Sequence, residues 1–346
     1  MRRLKIFTWI VLINIYLVIV AGSIVRMTGS GMGCPDWPKC FGYLIPPTEQ
    51  SQIEWKAAHD YNKGEIIIHN SSLVVASSDF KTADSYNENN WQPYTKHDYA
   101  VFNVFHTWTE YINRLIGALL GFFALLMIFF AARRWKVNKW FLWLSLIQLF
   151  LILFQAWLGK LTVDTNLNPY MITYHMIGVT VMVFVQLLLL KLISRAENQI
   201  NHEAMKSPKI WKQIALGGIG LMIVQIILGT QVRQQTDVMT HADILVARDM
   251  IAAGFDYVFY IHRSFSILLV ICIGYLFLKL RTSDYTKKAA QYLVIFTALE
   301  ILSGIILFYL GMPALAQPIH IILAILIYGF IVELFFRLVP RLNQKK

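Results

Sequence analysis

Eight stretches of mostly apolar residues, at about 6–25, 112–132, 140–161, 171–193, 214–232, 257–280, 289–310 and 314–336, constrain this chain more than any other feature. A helix crosses the hydrocarbon core of a bilayer in about 20 residues. Only helices and closed barrels leave no backbone polar group unsatisfied there. The expected fold is therefore an all-α integral membrane protein with eight transmembrane helices. A composition of 57% hydrophobic and 15% charged residues with a mean hydropathy of +0.52 disfavours a soluble globular protein. The first stretch follows Met1-Arg2-Arg3-Leu4-Lys5. It is too long for the core of a signal peptide and lacks a small-x-small cleavage site, so it reads as a retained helix.

Basic residues set the orientation. Of 31 Lys and Arg, 20 fall at the amino terminus, in the 2–3, 4–5 and 6–7 connections and in the carboxy-terminal tail. Both termini are thus expected on the cytoplasmic side of a bacterial-type inner membrane. The opposite loops lean acidic, with nine Asp or Glu against five Lys between Met27 and Phe105. The net charge of +11 follows from this topology, and no nucleic-acid-binding patch is read in it.

The chain repeats itself. Gly22-Ser-Ile-Val-Arg26 is echoed by Gly229-Thr-Gln-Val-Arg233, and Tyr111-Ile-Asn-Arg114 by Tyr260-Ile-His-Arg263. Gln155, Gly159 and His175 are spaced as Glu300, Gly304 and His320 are, with 16 residues between glycine and histidine in both sets. Helices 1–4 and 5–8 start on the same side, so the repeat is parallel, and two pseudo-symmetric four-helix bundles are expected. The halves are residues 1–196 and 210–340. A polar stretch at about 46–96 has little periodicity and reads as an insertion in the first external loop. A short amphipathic helix over Ala242–Ala253 is a weaker expectation.

His59, His69, His97, His202 and His241 lie in loops and read as solvated. His175, His262 and His320 sit inside helices, where ionisable groups are expensive and usually have a task or a partner. His262 and His320 belong to one half at similar depth, which is what a bis-imidazole haem iron requires. His106, Glu110 and Asn113 share one face of helix 2. Glu110 with Arg114 suits either a structural ion pair or a buried carboxylate for proton transfer. Arg26, Arg233, Arg114 and Arg263 suit porphyrin propionates, and the first two suit simple snorkelling as well. Cys34 and Cys40 lie on the oxidising side and suit a structural staple or a redox couple.

The run Gly22-Ser-Ile-Val-Arg-Met-Thr-Gly-Ser-Gly-Met-Gly-Cys-Pro-Asp-Trp-Pro-Lys-Cys40, with Glu110-Tyr-Ile-Asn-Arg114, His175, Tyr260-Ile-His-Arg263 and His320, resembles the haem A synthase family. That resemblance implies oxidation of a methyl group of haem O, through an alcohol, to the formyl group of haem A. It implies a haem b cofactor on His262 and His320 and a substrate haem on His175 in the amino-terminal half. It also implies a functional role for Glu110 and an external cysteine pair in Cys34 and Cys40. The implied partners are a haem O synthase, a haem A-containing cytochrome oxidase, the lipid bilayer and an electron donor or acceptor. One departure stands out: the family pattern has a histidine where this chain has Asn113. Either His175 alone holds the substrate iron or His106, on the same helix face, substitutes. Two other classes fit parts of the pattern: a di-haem b electron-transfer protein and a transporter.

Overall fold

Every one of the eight apolar stretches is an α-helix, long and apolar enough to cross a membrane. The computed structural model describes residues 1–95, 102–165, 170–197, 208–242 and 254–339. The helices are α1 (Arg2–Met27), α2 (Val104–Ala132), α3 (Trp140–Asp164), α4 (Tyr170–Glu197), α5 (Lys209–Ala242), α6 (Tyr257–Leu280), α7 (Lys287–Tyr309) and α8 (Ala316–Leu338). The chain is a multi-pass membrane protein. Large apolar side chains such as Phe122, Phe150, Leu153, Ile267 and Ile271 are exposed on the helices, a surface that lipid tails solvate and water does not.

Hydropathy located the helices but not their ends. Helix α2 starts eight residues before its apolar run, because its polar first turns find partners: Thr109 Oγ1 donates to the Phe105 carbonyl at 2.7 Å and Thr107 Oγ1 to the Gly33 carbonyl at 2.8 Å. Helix α5 likewise continues well past Val232, with Arg233 and Asp237 one turn apart in a 2.9 Å ion pair. The amphipathic helix expected over 242–253 lies outside the described residues beyond Ala242.

Two compact units emerge. The larger comprises Met1–Val20, Leu119–Gln155 and Ile172–Lys346. Within it α5 packs on α6 and α8, and α7 packs on α6 and α8, closing a four-helix ring. Its core joins Leu12, Met127, Leu144, Val183, Met222, Ile273, Leu293 and Ile331. The buried Gln186 donates its amide N–H across this core to the Thr8 carbonyl at 2.7 Å.

The second unit comprises Ala21–Ala118 and Ala156–Met171. The spanning elements are all helical as expected, while the polar stretch at about 46–96, expected to lack periodic structure, folds into small antiparallel sheets. Strands β2 (Ile66–His69), β3 (Ser72–Ala76) and β5 (Trp91–Pro93) form one in the order β2-β3-β5, and β1 (Asp60–Tyr61) pairs with β4 (Phe80–Lys81). β-Branched runs in β2 and β3 flank Asn70-Ser71, whose φ angles of 48° and 59° make the two-residue hairpin turn that matches strand twist. The sheets bury Tyr61, Ile67, Ala76 and Trp91 on one side, and a second cluster joins Ile53, Ile66 and Leu73 to Cys34, Cys40 and Phe41.

Candidate functional site

Helix α2 presents its first polar turns to the loop that follows α1. Cys34 and Cys40 are joined by a disulfide and are almost completely buried. Glu110, 4% exposed, accepts the Cys34 amide N–H at 2.9 Å on one carboxylate oxygen and meets Arg114 at 2.5 Å with the other. Arg114 donates with its second terminal nitrogen to the carbonyls of Asp36 and Lys39, at 2.8 and 2.9 Å. The Asp36 carboxylate in turn accepts the Phe41 and Gly42 amides at 2.6 and 2.9 Å. Burial pushes the Asp36 carboxyl above its usual range, against the pull of those two amides and of Arg114. The loop is thus wound around a charged pair one helical turn long. Gly42, at φ 81°, is held where an added Cβ would collide with the Glu65 backbone.

His106 lies one turn before Glu110, its Nδ1 2.9 Å from the Ser30 hydroxyl. Asn113 is partly buried, and its Oδ1 lies 3.8 Å from where a Cβ on Gly22 would stand. That oxygen has no hydrogen-bond partner among the described residues. Arg26 is partly buried at the end of α1.

In the larger unit, His175 Nδ1 is 2.5 Å from Gln155 Oε1, and the same glutamine donates to the His175 carbonyl at 3.3 Å. His320 has the matching arrangement: its Nδ1 lies 3.3 Å from Glu300 Oε1 and 2.8 Å from the Ser303 hydroxyl. The His262 and His320 imidazoles each have their Cε1 edge against a glycine, so that an added Cβ on Gly229 or Gly304 would lie 3.1 or 3.4 Å away. Gln225 donates to the His262 carbonyl at 3.1 Å. Arg233 bonds Gln317 and pairs with Asp237 at 2.9 Å, whereas Arg263 is exposed, 5.9 Å from the Tyr260 ring centre.

Repeat-equivalent positions make like contacts. Gly22 faces Asn113 as Gly229 faces His262, and Gln155 holds His175 as Glu300 holds His320. Ser303, Gln225 and Asp36 were not expected at the site. Ser303 stands where the other half has Leu158, so the repeat could not point to it, and the Asp36 carboxylate takes two backbone amides of its own loop, Phe41 and Gly42. Among the loop histidines, His69 stacks on Tyr86 at 3.8 Å. His97 and His202 lie outside the described residues, as does the side chain of His241. Among the described residues no group of three or more His, Cys, Asp or Glu is placed to hold a bare metal ion.

A family model described as cytochrome oxidase assembly protein, COX15-CtaA, matches residues 5–81 and 79–332. Among curated proteins, a heme A synthase of Shewanella oneidensis is 28% identical over 225 residues, which span 64% of this chain and 55% of that protein. Heme A synthases of Ehrlichia canis and Rickettsia akari are each 23% identical. They cover 94% and 97% of this chain and 90% and 98% of their own lengths.

Proposed function

This chain belongs to the COX15-CtaA family of cytochrome oxidase assembly proteins, and from that premise we propose that it is a haem A synthase, an oxidoreductase that converts a methyl group of haem O to the formyl group of haem A. The observation that carries the reading is the correspondence of side chains between the two halves, in which His262 stands against Asn113 at positions that both face a glycine.

His262 and His320 fit a resident haem b. Two half-buried imidazoles face glycines that leave room for their rings, and Ser303 and Glu300 fix the second ring through its Nδ1, the arrangement by which outer partners orient an iron-ligating histidine. Bound haem b would supply one-electron transfer. The amino-terminal half takes the substrate: His175, oriented by Gln155, is its ligand. Asn113 and His106 lie on the α2 face assigned to it, and Arg26, Arg114, Arg233 and Arg263 are the propionate candidates. An amide oxygen is a poor iron ligand, so Asn113 leaves one face of the substrate iron without a strong donor. Glu110 handles the proton, with Arg114 and the Cys34 amide holding its carboxylate in place.

The Cys34–Cys40 bridge serves as a staple, because its sulfurs are shut away from solvent. Both termini face the cytoplasm of a bacterial inner membrane, as the basic connections require. The domain reading of residues 1–196 and 210–340 as two haem-binding halves stands on the repeat. Haem O synthase would supply the substrate and a haem A-containing cytochrome oxidase would receive the product.

The test is expression in a host that makes haem O, followed by chromatography of extracted haems. Wild type yields haem A, and Glu110→Ala yields none while keeping its haem b spectrum. Absence of haem A from the wild-type strain would sink the assignment.

A further inference from the structure

Four buried positions in the larger unit set the two repeats apart. Extending the pairings of Gly22 with Gly229, Gln155 with Glu300 and His175 with His320 along their helices matches Thr8, Ser145, Gln148 and Gln186 with Ala215, Ala290, Leu293 and Ile331. All eight side chains are 0% exposed. The second repeat closes its core at these places with alkyl groups, so the bundle itself does not demand polar ones.

The polar groups of the first repeat are only partly matched. Thr8 and Ser145 donate to carbonyls one turn back, Leu4 and Phe141, both at 2.7 Å, which leaves each hydroxyl oxygen able to accept. Gln186 spends its amide on the Thr8 carbonyl. Its Oε1, and both the Oε1 and the Nε2 of Gln148, have no hydrogen-bond partner among the described residues. An amide shut away without partners is costly, and lipid tails offer it none. The contact of Gln155 with His175 sets the register of α3 and α4, two successive and therefore antiparallel crossings. Gln148 lies seven residues before Gln155 and Gln186 eleven after His175, about two and three whole turns, so each keeps the face of that contact. Both are displaced toward the same end of the bundle. Side chains tilt toward the amino terminus of their own helix, which in an antiparallel pair draws these two amides toward one level.

We propose that Gln148 and Gln186 form an internal water site between α3 and α4, with the Ser145 hydroxyl, one turn before Gln148, as a further acceptor. Water both donates and accepts, so it matches the two carbonyl oxygens and the Gln148 NH2 group together, as buried waters do for otherwise unsatisfied groups. A metal cation would match the oxygens but face the NH2 hydrogens with like charge. A lipid tail would match neither. The site gives the first repeat a hydrated interior that the second, with Leu293 and Ile331, lacks. It rests on helix packing alone and is independent of the catalytic reading.

The full chain in lipid nanodiscs is imaged by electron cryomicroscopy at a resolution that shows ordered water. Wild type gives a density peak about 2.7–3.2 Å from the Gln148 amide and from Gln186 Oε1. The Gln148→Leu/Gln186→Ile variant, which carries the residues of the second repeat, loses the peak and keeps its helical content; if it does not fold, the wild-type map decides alone. Water-edited solid-state NMR of bilayer samples gives a second readout. Magnetisation passes from water to the Gln148 side-chain NH2 group, a signal identified by its loss in Gln148→Leu. A direct Gln148–Gln186 hydrogen bond with no peak beside it, a dry gap, or a peak at metal–oxygen distance from both carbonyls would overturn the proposal. So would a peak that persists in the double variant, or no transfer to Gln148.

Discussion

Glu110 and Arg114, one turn apart on α2 and 2.5 Å from each other, grip the Cys34–Cys40 loop at separate points: the carboxylate takes the Cys34 amide and the guanidinium takes the carbonyls of Asp36 and Lys39. The disulfide closes the loop covalently, and the ion pair ties it to the helix. A residue with a proposed catalytic task thus also holds structure, and the two roles separate experimentally.

Arg114→Ala strands the Glu110 carboxylate in a buried place, a change that costs about 3–5 kcal/mol. Arg114→Lys restores the charge but cannot reach both carbonyls and the carboxylate together, so it recovers only part of the loss. Thermal unfolding followed by tryptophan fluorescence should rank wild type, Arg114→Lys and Arg114→Ala in descending order. Equal midpoints for all three would show that the pair carries no structural load.

His262→Ala and His320→Ala are each expected to abolish the Soret band of the purified protein, with helical content by circular dichroism unchanged. Ser303→Ala removes one of the two partners of the His320 ring. It should keep the band but shift the reduction potential, because the hydrogen bond to the distal nitrogen tunes a ligating imidazole. A full haem complement in either alanine variant would remove that histidine from the ligand set.

The two glycine cradles differ in tightness, which gives a graded expectation. At Gly229 an added Cβ stands 3.1 Å from the His262 ring, close enough to force it aside; at Gly304 the 3.4 Å approach to His320 is ordinary contact. Gly229→Ala should therefore lower haem content severalfold, whereas Gly304→Ala should stay near wild type. The reverse order would contradict the assigned ring positions.

Asn113→His places an imidazole where the other half has one, and Gly22 leaves it space. The variant, loaded with haem O, should gain a low-spin signal of two nitrogen ligands in electron paramagnetic resonance and should turn over at least about tenfold more slowly (about 1.4 kcal/mol). An unaltered spectrum would move the substrate haem away from this face of α2.

Much of the site was legible before any coordinates. The i, i+4 spacing of Glu110 and Arg114 brings them together on any helix, and the internal repeat singled out Gln155 and His175, and Glu300 and His320, as equivalent positions, though not as contacts. The hairpin at Ile66–Ala76 was legible in principle too: two β-branched runs flank Asn70-Ser71. It was passed over because the surrounding polar residues masked its short alternation. Ser303 left no such trace, since it has no counterpart in the repeat, and Asp36, though inside the run that ends at Cys40, gave no sign that its carboxylate would take the Phe41 and Gly42 amides.

The spans, the duplication and the kinds of side chain inside the helices are written in the chain's linear order, because the apolar length needed to cross a bilayer and the spacing of a repeat are both local, countable properties. Which atoms satisfy those buried polar groups is a different matter. The Cys34 amide reaches Glu110 from 76 residues away, and Ser303 reaches His320 from a neighbouring helix. A hydrogen bond depends on a few tenths of an ångström between groups whose separation along the chain says nothing of their distance, so those partners became known only once the helices were packed.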